Sequence, residues 1–95
     1  MFVIINQLHF TKPVDEFIAS IEAEGLPLLE SLPGFVDFKF VKIAEDRAVV
    51  LLFWETGADA QNGAAQFGLT WFAKNFAPLL ASEQVRVAGQ VVVQH

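Results

Sequence analysis

The chain has 95 residues, 54% of them hydrophobic, with ten Phe, two Trp, no Tyr and no Cys. Eleven acids against six bases leave a net charge of −5, and the bases Lys12, Lys39, Lys42, Arg47, Lys74 and Arg86 are scattered. This balance argues against a nucleic-acid backbone or an anionic membrane surface as partner, and the missing cysteines exclude disulfides, thiolate chemistry and cysteine metal sites.

The length suits a single domain over residues 1–95. No positive segment precedes the first apolar residues, so the N-terminus does not read as a signal peptide. No apolar run approaches the roughly 20 residues of a spanning helix, and a cytoplasmic location is expected. A small domain buries only a modest share of its surface. So high an apolar content therefore points to an interface or a pocket.

Phe2 to Phe10 alternates as a strand. The even row Phe2, Ile4, Leu8 and Phe10 is apolar except for Asn6, and the odd row holds Val3, Ile5, Gln7 and His9. Thr11-Lys12-Pro13 opens a helix, with Asp15 and Glu16 at its positive end. Phe17, Ile18, Ile21, Leu28 and Leu32 recur at helical spacing, and Pro27 predicts a kink or break because it cannot donate to Ala23. Pro33-Gly34 stops the helix.

Residues 34–56 read as a hairpin turning at Glu45-Asp46. Folded there, it pairs Phe40 with Leu51, Phe38 with Phe53, Val41 with Val50 and Asp37 with Trp54. One face then carries Val36, Phe38, Phe40, Val49, Leu51 and Phe53. The other carries Val41, Ile43, Val50, Leu52 and Trp54. Antiparallel sheets commonly keep one wet face, yet both faces here are apolar. A chain this short has helices for one face only, so a second copy is expected over the other, with Val41, Val50, Leu52 and Trp54 at the dimer interface.

A second helical stretch runs from about Ala58 to Leu80, with Ala60, Ala64, Phe67, Trp71, Phe72, Phe76, Leu79 and Leu80 as its apolar stripe. Gly63 and Gly68 weaken it, and a bend is expected near Gly68. Val85 to Gln94 reads as the last strand.

The order β-α-β-β-α-β is that of a ferredoxin-like α+β fold, a four-stranded antiparallel sheet with helices on one face. With Phe10-Thr11 before helix 1, Leu32-Pro33-Gly34-Phe35 entering strand 2, Phe53-Trp54-Glu55 closing strand 3 and Phe76-Ala77-Pro78-Leu79-Leu80 ending helix 2, the chain resembles the antibiotic biosynthesis monooxygenase-like proteins of the dimeric α+β barrel superfamily. The resemblance implies a homodimer whose sheets meet as an eight-stranded barrel, and a pocket between sheet and helices in each subunit. Members of that family include cofactor-independent oxygenases of polycyclic aromatics, quinol oxygenases and haem-degrading enzymes; many have no demonstrated activity.

Asn6 stands where haem-degrading members place a strand-1 Asn. The helix-2 His and Trp of those members would fall near Ala73 and Gly63, which argues against haem degradation. The candidate catalytic residues are Asn6, Trp71 and His9. Phe38, Phe40, Phe67 and Phe72 are the candidate substrate-pocket walls. Asn6 could equally be a buried amide satisfied by backbone, Trp71 and Trp54 plain packing residues, and His9 a strand-end surface histidine. No metal constellation, phosphate loop or nucleophile triad is present, and no cofactor is expected. Two functions fit: a cofactor-independent monooxygenase acting on a small aromatic or quinol-like molecule, or a non-catalytic dimer that binds a small ligand or serves as structure.

Overall fold

A computed structural model describes all 95 residues. Strand β1 spans Phe2–His9, β2 Phe35–Ala44, β3 Arg47–Trp54 and β4 Val85–Gln90. They form one antiparallel sheet in the order β2-β3-β1-β4. Two helical stretches, α1 (residues 14–30) and α2 (residues 57–75), cross over one face. This is the ferredoxin-like arrangement expected from the element order.

Both helices carry a wide turn where the sequence resists a regular one. In α1 the π turn Ile21–Gly25 lies directly before Pro27, and Leu26 N–H reaches back to Ile21 C=O. The wider turn accommodates a residue without an N–H, so the helix bends around Pro27 instead of breaking. In α2 the π turn Gly68–Phe72 follows the regular stretch Gly57–Phe67, the place where the bend was expected. Thr56 caps α2 by accepting the Asp59 N–H at 3.1 Å. The last strand ends at Gln90, short of the expected Gln94, and Val92 and Val93 stand exposed beyond it.

The hairpin departs from expectation in a way that reverses its faces. Ala44 pairs with Arg47, as a turn at Glu45-Asp46 requires. The register then shifts between Lys42 and Ala44, so that Phe40 pairs with Val50 and Phe38 with Leu52. Ile43 is the additional residue, and it is exposed. A bulge inserts one residue into one strand, and a slip of one residue sends every following side chain to the opposite face. Val50, Leu52 and Trp54 therefore lie under the helices, buried to 2%, 3% and 0% exposure. They are core residues, not interface residues. Only Val41 of the expected interface set shares the open face, beside Val49, Leu51 and Phe53 across the ladder.

The core lies between this face and the helices. Trp54 is the largest fully buried side chain, and Phe35 packs edge-on to it with ring centroids 5.6 Å apart. Phe76, from the end of α2, contacts Phe10, Phe17, Phe40, Trp71 and Phe72 at centroid distances of 5.0–6.0 Å. Gly63 admits the Trp54 ring: a Cβ there would sit 2.0 Å from its Cη2 atom. Gly68 faces open space within 4 Å.

The two glycines should therefore respond oppositely to alanine. Gly63→Ala is expected to cost about 1–3 kcal/mol by overpacking. Gly68→Ala is expected to gain about 0.5–1 kcal/mol, because it removes a flexible residue from a helix and meets nothing. Urea midpoints of the two variants against wild type decide this; an unchanged midpoint in Gly63→Ala would mean the indole has room to move.

Candidate functional site

Strand alternation decides which polar groups meet. On β1 the even residues face the helices, and Asn6 is the polar member of that row. Its Cα neighbours across the sheet are Val50 on β3 and Arg86 on β4. Gln84, two residues before Arg86, has the same parity. α2 roofs this part of the sheet, and its wide turn Gly68–Phe72 stands over it. Between them lies a cavity of ≈ 430 Å³.

The floor is Ile4, Asn6, Phe38, Val50 and Leu52, and the roof includes Ala64, Phe67, Phe72 and Phe76. Gln61, Gln84 and Arg86 supply the other polar groups, and Leu69, largely exposed, stands at the rim. No Asp, Glu, His or Lys lines the space. Asn6 is only 7% exposed, and its Oδ1 has no hydrogen-bond partner. The Gln84 Oε1 is likewise buried without a partner. Buried polar atoms are normally paired, so two unpaired acceptors on one cavity wall are places for a donor. An apolar hollow of a few hundred Å³ with a few convergent polar groups is the usual form of a small-molecule site.

The candidate residues separate into groups. Asn6, Phe38, Phe67 and Phe72 come together on the cavity. Phe40 lies instead on a smaller hollow of ≈ 250 Å³ against α1, with Val14, Ile18, Ile21 and Leu26, and Phe38 borders both spaces. Trp71 does not line the main cavity. Its ring stacks on Phe67, with centroids 5.6 Å apart, and its Nε1 donates to Glu24 Oε1 at 3.1 Å. It lies against the wide turn of α1, where a Cβ at Gly25 would meet its ring at 3.5 Å, an ordinary contact. Trp71 thus joins the two helices behind the wall, because the wide turn of α2 rotates it away from the sheet.

His9 belongs to the odd row of β1 and so to the opposite face. Its Nε2 lies 3.0 Å from Asp46 Oδ2 at the hairpin turn. That hydrogen bond is the main cause holding the Asp46 carboxyl below its ordinary value. His9 closes the turn and does not reach the cavity.

Gln61, Gln84 and Arg86 did not emerge from the sequence pattern. The signal was present: once β4 is placed beside β1, the parity of Arg86 and Gln84 matches that of Asn6. The periodicity of β4 alone shows only that these residues face away from Val85 and Val87. No group of three or more His, Cys, Asp or Glu side chains is placed to hold a metal ion, and no helix is long and apolar enough to cross a membrane.

With the geometry established, comparison with known proteins places the fold. No protein-family model and no curated protein matches the sequence. Solved structures match over nearly the whole chain. A variant of SnoaB, a cofactor-independent oxygenase from Streptomyces nogalater, is 17% identical with a TM-score of 0.79, over 98% of this chain and 94% of that one. MhuD bound to two manganese protoporphyrins, from the haem degrader of Mycobacterium tuberculosis, is 22% identical with a TM-score of 0.74, over 100% and 98%. A monooxygenase from Streptomyces coelicolor in complex with nanaomycin D is 16% identical with a TM-score of 0.70, over 98% and 92%. The chain thus has the fold of the antibiotic biosynthesis monooxygenase-like proteins.

The His9–Asp46 pair predicts a small pH dependence. Asp46 ionises at lower pH folded than unfolded, so the contribution of the pair is present above the ordinary carboxylate range. It is lost as pH falls through the depressed value, and it is small because solvent screens exposed pairs. Asp46→Asn should lower the denaturation midpoint at about pH 7, and its difference from wild type should shrink as pH falls below the ordinary carboxylate range. A difference that stays constant across acid pH would remove the charge from the explanation.

Proposed function

We propose that the chain is a cofactor-independent monooxygenase acting on a small, fused-ring aromatic or quinol-like molecule held between sheet and α2. The observation that carries this is the cavity wall itself: aromatic and aliphatic surface around two buried, unpartnered amide oxygens, those of Asn6 and Gln84. Solved structures of the same fold include a cofactor-independent oxygenase and a monooxygenase in complex with nanaomycin D, which supports the reading.

The chemistry follows from what the wall lacks. Without Asp, Glu, His or Lys in contact with the ligand, no side chain there can take a proton at neutral pH. The substrate must therefore be acidic enough to supply its own anion. The Asn6 amide N–H donates to the enolate or phenolate oxygen and stabilises the charge. The anion passes one electron to dioxygen, and the resulting radical and superoxide combine at the ring carbon as a hydroperoxide. Loss of water leaves a carbonyl. One oxygen atom ends in the product and the other in water, whose two hydrogens are the proton lost on ionisation, returned to the peroxide, and the one left on the ring carbon. Phe38, Phe67, Phe72 and Phe76 keep bulk water from the radical pair. Trp71 supports the wall from behind, and His9 takes no part in this scheme.

The working unit in this reading is a homodimer. The open face of the sheet carries Val3, Ile5, Val41, Val49, Leu51, Phe53, Val85 and Val87. Several neighbouring apolar side chains on one open face form the kind of surface that marks an interaction site. A second copy of the same face covers it symmetrically.

A second reading, a dimer that binds the same class of ligand without chemistry, is favoured by the same lack of a proton acceptor. Oxygen uptake separates the two. With anthrone as probe and no added metal or flavin, the protein should consume dioxygen above the buffer rate, and Asn6→Ala should lower kcat/KM by about 10²-fold. Binding without uptake would leave the second reading. For assembly, sedimentation should give twice the 10.5 kDa chain mass. Leu51→Asp, which buries a charge at the contact, should give the monomer, and a variant that stays dimeric would remove this face from the interface.

A further inference from the structure

We infer that the cavity selects an anionic ligand, a hydroxylated aromatic acid, through a polar arc formed by Asn6, Gln84 and Arg86. This rests on the reading of the cavity as a ligand site and adds the charge of the ligand to it.

Three features converge on one wall. First, Arg86 is the only charged residue lining the cavity, and its guanidinium has no ion pair or side-chain hydrogen bond within the chain. Lys12, Lys39 and Lys42 are each paired with an acid; Arg47 and Lys74 are unpaired like Arg86 but do not line the cavity. Second, Arg86 stands directly across the ladder from Asn6, the distance at which side chains of neighbouring strands meet. Third, the Asn6 Oδ1 and Gln84 Oε1 are both buried acceptors without donors.

The two kinds of group ask for different things. The amide oxygens ask for a donor, which a ring hydroxyl other than the ionised one supplies. The guanidinium asks for an acceptor, best met by a carboxylate in a forked pair of hydrogen bonds. A molecule with both on one aromatic edge satisfies all three side chains while its ring lies on Phe38, Phe67 and Phe72. A neutral ligand would leave the exposed guanidinium to solvent and gain nothing from it; a ligand without a hydroxyl would leave the buried acceptors unmet. The charge pattern of the molecule makes the requirement sharper. The chain carries a net charge of −5, which disfavours anions at low salt, so a nearby cation such as Arg86 matters more for anion binding here. Within the cavity no carboxylate competes for Arg86.

The test is a matched pair of probes, a hydroxynaphthoic acid and its methyl ester, which differ in charge and little else. Their binding to wild type and to Arg86→Gln is measured by calorimetry. Arg86 is exposed on an edge strand, and urea midpoints confirm that the variant is folded. The acid should bind wild type about tenfold or more tightly than the ester. Arg86→Gln should remove that preference by weakening the acid alone. Added salt should weaken the acid and spare the ester, a comparison that needs no variant. Equal binding of acid and ester to wild type, or a preference that survives in Arg86→Gln, overturns the anion inference and leaves the cavity as a neutral-ligand site. Binding of neither probe overturns the cavity reading itself.

Discussion

The contact between the Trp54 indole and the backbone of Gly63 constrains the rest of the structure. The indole is fully buried, and any side chain larger than hydrogen at position 63 would occupy the space it needs. This pins the end of β3 to the middle of the first regular stretch of α2. Once Trp54 points at the helices, Leu52 and Val50 must do so too, because side chains alternate along a strand. The partner strand then has to present Phe38 and Phe40 on the same side. The turn at Glu45-Asp46 alone would have put them on the other, and the bulge at Ile43 reconciles the two demands. Burying a large aromatic outweighs both the irregular ladder and the unpartnered indole N–H.

The same constraint creates the cavity. With α2 held at Gly63, its continuation passes over β1 and β4 through the wide turn Gly68–Phe72, a feature frequent at functional sites. The widened turn directs Trp71 sideways, onto α1, where it bonds Glu24. The space that an indole could have filled stays open above Asn6. The packing of Trp71 and the emptiness above the sheet thus have one cause. The floor residue Asn6 and the wall residue Arg86 come from the two strands that α2 roofs loosely, Gln84 stands just before the second of them, and the Phe cluster around Phe76 fills the tighter end.

A cavity of this composition limits the chemistry it can host. It offers hydrogen bonds, apolar surface and one guanidinium, and no side chain that can take up a proton near neutrality. Reactivity has to reside in the ligand, and the protein contributes orientation, exclusion of water and stabilisation of negative charge. The same inventory serves plain binding equally well. The difference between an oxygenase and a binder of this shape lies in the electron richness of the ligand more than in any side chain.

Much of this was legible in the residues. The alternation of β1, the helical stripes, the stop at Pro33-Gly34 and the turn at Glu45-Asp46 determined the element order and the ferredoxin-like fold, because periodicity and turn chemistry are local properties. The lone Asn6 in an apolar row, and the aromatic wall at Phe38, Phe67 and Phe72, were visible for the same reason. What the sequence could not decide was parity across a bulge, since a single unpaired residue leaves no mark on composition. Only the tertiary structure, through the fit of Trp54 to Gly63, turned Val50 and Leu52 inward. It also moved Trp71 off the cavity and brought Arg86 and Gln84, nearly eighty residues distant in the chain, beside Asn6. Those are long-range outcomes of packing, and no local pattern encodes them.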